Sequence, residues 1–200
     1  MVRYLIKGVF IFLVTLFLFY LFLKYNQLSG FGHLAIDLFI FIGAFIFTFI
    51  IASLIDIWMD KIHFKFTLQL ICSLLLILFF VYKMFTPYFY TEQHLKENAM
   101  DKIELYYQLS NNELSEEERI NLAEASHTEL MAFNLTYLNR YPEEELVEIE
   151  VKDFRRYYYQ YHIVVELELL KQTQLVKETN RYIFTREGFD FKIGGRSFID

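Results

Sequence analysis

The chain has 200 residues, 55% of them apolar and 20% aromatic, with a net charge of −6. The charge is unevenly spread: six basic residues against three acidic ones precede Pro87, and 13 against 22 follow it. An acidic second part excludes a nucleic-acid surface, which needs basic residues to neutralise phosphates, and the one cysteine, Cys72, lies in an apolar run, so the polar part can form no disulfide or thiolate site.

Three uncharged apolar runs come first, residues 8–23, 38–55 and 66–82. Extended by their flanks to about 4–23, 36–57 and 66–85, each approaches the roughly 20 residues that a helix needs to cross a bilayer. No small-residue cleavage site follows the first run, which therefore reads as a retained span and not a signal peptide. Arg3, Lys7, Lys61 and Lys65 fall on one side of the membrane against Lys24 and Lys83 on the other. By the positive-inside rule the N-terminus is cytoplasmic and the polar part lies outside the cytoplasm, in a multi-pass protein of the cell membrane.

Within the second run Ala44, Thr48 and Ala52 are four apart, with Gly43 beside them, a small-residue stripe that lets helix backbones approach in lipid. Gln69 and Ser73 on the third run share the same spacing and are expected to hydrogen-bond across that contact. Asp37 lies near the line of the stripe and is the candidate intramembrane polar site, because ionisable groups in a bilayer point to function.

After the third run, Pro87 interrupts the helical pattern and Tyr88, Phe89 and Tyr90 suit a membrane interface. Leu95, Ala99, Ile103, Tyr106 and Leu109 form an amphipathic stripe, predicting a helix over 91–109. Ser115 and Glu118 have capping-box spacing, predicting a second helix over 116–138, before Pro142. From there the period is two, and strands are expected at about 146–153, 157–170, 174–186 and 189–197, with a break at 153–156. The fold class is an anchor of three transmembrane helices (1–87) followed by an α+β domain (88–200), two helices and then a four-stranded antiparallel meander.

In the strand YYYQYHIVVELELL, alternation assigns Tyr159, Tyr161, Ile163, Val165, Leu167 and Leu169 to the core and Tyr158, Gln160, His162, Val164, Glu166 and Glu168 to solvent. Arg156, Tyr158, His162, Glu166 and Glu168 are the candidate partner-binding face, since tyrosine and arginine are enriched at interface hot spots. Gly194-Gly195 reads as a bulge or turn. Glu143, Glu144 and Glu145 read as a solvated face and not a metal site, and no two histidines have helical zinc spacing. No nucleophile elbow, phosphate loop or dinucleotide fingerprint occurs, so no catalytic residue, cofactor or metal is expected.

The order of two helices and four long antiparallel strands resembles the nuclear-transport-factor-2-like, or cystatin-like, folds. That resemblance implies an extracytoplasmic domain of a bacterial envelope protein of the kind found in conjugation and secretion machines. The expected function is non-enzymatic protein binding, as an envelope assembly subunit or an immunity-type protein. The alternatives are a sensor holding a small apolar ligand between sheet and helices, and a transporter accessory using Asp37. The expected partners are the lipid bilayer and another protein or a second copy of the chain.

Overall fold

The computed structural model describes residues 2–26, 34–171 and 173–199. It forms two compact units, Met1–Val81 and Tyr82–Asp200.

The first unit is helical, with α1 Val2–Asn26, α2 Leu34–Met59 and most of α3 Lys65–Met84. All three helices are long and apolar enough to cross a membrane. Their exposed faces are rich in Phe, Leu and Ile, surfaces whose natural solvent is lipid. Aromatic edges join α1 to its neighbours: Phe19 meets Phe41 and Phe45 of α2, while Phe17 and Tyr20 meet Phe79 of α3. Ala44, Thr48 and Ala52 are buried on α2, as are Gln69 and Ser73 on α3. Gly43 does not share the buried stripe. It is exposed, and a Cβ there would meet nothing within 4 Å, because one residue turns a helix by about 100° and carries it off the contact line. The side chain of Asp37 lies outside the described residues.

The second unit begins with the end of α3 and a 3-10 turn at Thr86–Phe89. Helix α4, Glu92–Gln108, is capped by Thr91, whose hydroxyl accepts from the amide of His94 at 3.2 Å. It buries Leu95, Ala99, Ile103, Tyr106 and Tyr107. Helix α5, Glu116–Ser126, opens with the predicted capping box: Ser115 N–H donates to Glu118 at 2.8 Å, and Glu118 N–H donates back to the Ser115 hydroxyl at 3.3 Å.

The single helix predicted over 116–138 is instead two, α5 and α6 (Glu129–Tyr137). At His127 the backbone turns extended (φ −114, ψ 159), and Thr128 N–H donates to the carbonyl of Ile193 at 3.0 Å. A long-range bond to the sheet replaces continued helix. Helix α6 ends on Asn139 in the left-handed region (φ 48), where Arg140 and Asn139 amides donate to the carbonyls of Leu135 and Thr136. This Schellman closure satisfies the last carbonyls before Pro142.

The sheet has strands β1 Glu145–Tyr157, β2 Gln160–Lys171, β3 Gln174–Glu187 and β4 Asp190–Phe198, in the order β1-β2-β3-β4 with every pair antiparallel. The expected break at 153–156 is absent. Strand β1 bulges between Val151 and Asp153 and continues to Tyr157, and the turn falls at Tyr158-Tyr159, with Tyr158 at φ 46. Tyr159, expected in the core, is therefore exposed in the turn. Gly194 is the extra residue of a bulge in β4, between the pairs Ile183–Gly195 and Phe184–Ile193. A Cβ on it would lie 2.8 Å from the Thr185 hydroxyl.

One face of the sheet meets the helices. Tyr161, Ile163, Val165, Leu167 and Leu169 of β2 are fully buried, with Tyr182 and Phe184 of β3, against Leu95, Ala99, Ile103 and Ala123. Tyr161 stacks on Phe184 at 4.9 Å, and its hydroxyl donates to Asn98.

Candidate functional site

Strand β1 is a free edge of the sheet, and its bulges at Leu146/Glu148 and Val151/Asp153 decide which side chains face where. A bulge shifts the alternation of a strand by one residue. After the bulge at Val151/Asp153, Phe154 packs against the core, so Arg156 points to the helix side and Arg155, opposite His162, to the outer side. Arg156 is thus not on the face with His162. Its guanidinium donates to the carbonyl of Tyr90 at 3.1 Å and lies 5.5 Å from the Phe154 ring and 5.9 Å from Tyr88. Tyr158 is also off that face, at the hairpin tip, with its ring 6.0 Å from Phe85.

The outer face does carry His162, Glu166 and Glu168, spaced along β2. His162 packs against Tyr157 at 4.5 Å between ring centroids and lies 3.1 Å from the Gln160 amide. Burial, with Arg181 nearby, lowers its pKa, so the ring is neutral at pH 7. Further along, Glu150 lies directly opposite Glu166, and Glu148 opposite Glu168. Like charges facing each other across an antiparallel pair are destabilising. Lys152 offsets part of this, 2.7 Å from Glu150 and 3.3 Å from Glu166, and Lys177 lies 3.4 Å from Glu166. The hydrogen bond from Lys152 holds the Glu166 carboxyl below its ordinary pKa, which keeps that carboxylate charged.

Beside the same strand runs an open groove of about 940 Å³ that sequence reasoning did not find. Leu114, Leu122, Leu146, Ile149 and Leu170 give it apolar walls, and Glu104, Glu143, Glu145 and Glu148 rim it with acid. These residues come from α4, the loop after it, α5, the segment before β1, β1 and β2, so no local pattern announces them. The edge of β1 therefore carries carboxylates on the outer face and along the groove.

Among the described residues of the helical unit, Asp56 is a buried carboxylate, four residues after Ala52 and only 1% exposed. One oxygen lies 2.8 Å from Lys7 of α1, and the other 3.2 Å from Lys65 of α3 and within reach of the Gln69 amide. Lys65 also pairs with Asp60. A buried carboxylate is tolerable only when its oxygens are matched in this way. Spacing could have identified it, since 44, 48, 52 and 56 form one row. Among the described residues no cluster of three or more His, Cys, Asp or Glu is placed to hold a metal.

No family model and no curated protein matches the chain. Among solved structures, the intermembrane space region of the chloroplast protein ARC6 is similar, with 14% identity and a TM-score of 0.42 over 55% of this chain and 98% of that one. The likeness carries no functional statement. The resemblance to nuclear-transport-factor-2-like domains rests on element order alone.

Proposed function

We propose that the chain is a non-enzymatic, three-span protein of the cell membrane that presents its α+β domain outside the cytoplasm to bind a basic segment of another protein along the edge of β1. The observation that carries this is the pairing of Glu148 with Glu168 and Glu150 with Glu166 beside the acid-rimmed groove. Four carboxylates facing one another weaken a strand pair that Lys152 and Lys177 only partly neutralise, and a cationic partner would complete the neutralisation. The free edge adds unpaired backbone groups, and the apolar groove walls offer places for alternate side chains of an added segment. The basic bias of the N-terminal flank and the α2–α3 connection, Arg3, Lys7, Lys61 and Lys65 against Lys24 and Lys83, supports the orientation. An envelope assembly subunit or an immunity-type protein fits this behaviour.

The packing favours this over an apolar-ligand sensor, because fully buried side chains fill the centre of the layer between helices and sheet, and the groove at its β1 side is open and carries glutamates. A transporter role through Asp56 is less favoured, since its oxygens are already matched by Lys7, Lys65 and Gln69. The test is photo-crosslinking in intact cells from probes placed at Gln108 and Val147. A single protein adduct is expected from both sites, lost when Glu148→Lys and Glu166→Lys are combined. Failure of either probe to give an adduct, or an adduct indifferent to charge reversal, overturns the proposal.

A further inference from the structure

In a meander the β1–β2 and β3–β4 turns fall at one end of the sheet and the β2–β3 turn at the other. The two turns at the first end carry Tyr158-Tyr159 and Gly188-Phe189. Phe189 is 96% exposed, and Tyr158 and Tyr159 are more than half exposed. In water such a cluster is unfavourable, and exposed apolar groups gathered at one place mark an interaction surface.

The same compact unit contains the last residues of α3, and they pack on both turns. Arg186, near the second turn, donates to the Tyr82 hydroxyl and lies 5.0 Å over its ring. Tyr82 in turn packs on Phe89 at 5.2 Å. Phe85 meets Tyr158, and the Tyr88 hydroxyl donates to the Arg156 carbonyl at 3.2 Å, next to the first turn. The last residues of an apolar helix of spanning length therefore lie against the two aromatic turns.

We infer that this end of the domain rests on the lipid surface, with Tyr158, Tyr159 and Phe189 in the headgroup region beside Phe89. Tyrosine and phenylalanine at that depth place an apolar ring inward and, for tyrosine, a hydroxyl outward. Charge agrees with the placement. The acidic side chains near the turns are paired, Asp153 with Arg155, Glu187 with Lys192 and Asp190 with Lys102. At the far end the run Glu143, Glu144, Glu145 faces away from an anionic surface. The inference rests on α3 as a span and not on protein binding at β1.

The experiment uses the full chain in phosphatidylcholine proteoliposomes, with the sole tryptophan removed by Trp58→Phe and a reporter introduced by Phe189→Trp, by Tyr159→Trp or, as the far-end control, by Leu175→Trp. Reporters at 189 and 159 are expected to lose most of their fluorescence when the lipid is brominated and little to aqueous iodide, with the control showing the reverse. Iodide quenching at 189 and 159 without quenching by brominated lipid overturns the inference. Protection from both quenchers, as burial under a second copy would give, overturns it too.

Discussion

His127 joins the helices to the sheet: it leaves α5, bridges to Ile193, packs on Tyr106 at 5.0 Å and places Nδ1 2.8 Å from the Ser126 hydroxyl. Burial lowers its pKa from 6.5 to about 4. The unfolded chain then binds a proton that the folded chain refuses, so stability falls as pH drops from 6.5 to 4, by on the order of 3 kcal/mol. Denaturant midpoints of wild type and His127→Gln across that range are expected to converge on acidification, and parallel curves would contradict this. Glu144 and Asp190 are partly buried, yet Lys171 and Lys102 hold their carboxyls low. Their contribution is lost below about pH 4.5 in both proteins and cancels in the comparison. Little of this was visible in the sequence, where His127 is an isolated histidine in a helical pattern. Arg156 was misplaced for a related reason, because a bulge inverts alternation without any glycine or proline to mark it.

Among the elements, spacing was informative wherever one face meets one partner. The stripe of α4, that of β2 from Tyr161 onward and the positions Ala44, Thr48 and Ala52 of α2 are buried as read, while Tyr159 and Gly43 are not. Helix α2 gives a sharp contrast between a position on the row and one off it: Ala52 is fully buried, whereas the space around a Cβ at Gly43 is empty. Ala52→Leu is expected to lower the stability of the helical unit by about 1–3 kcal/mol through overpacking. Gly43→Ala should leave it unchanged or slightly raised. Thermal unfolding in detergent, followed by circular dichroism, distinguishes the two, and equal midpoints would contradict the assigned contact. The division of the second domain helix escaped notice because residues 116–138 are compatible with continuous helix. What breaks it is a hydrogen bond to a strand more than 60 residues away in sequence, which no local signal encodes.

For the whole molecule, the change from apolar runs to an acidic, alternating pattern near Pro87 made the two-part architecture readable, and short connections made the meander readable. The groove and the opposed glutamates emerged only when distant elements came together. Together with the aromatic turns, they divide the domain into an end suited to lipid and an acidic edge suited to a cationic partner. That arrangement serves the proposed role only if the domain is outside the cytoplasm. The decisive measurement is protease accessibility of a C-terminal tag on the full chain in intact cells compared with permeabilised ones. Digestion from outside intact cells is predicted; a tag cleaved only after permeabilisation of the cell membrane would contradict the orientation and the proposed function with it.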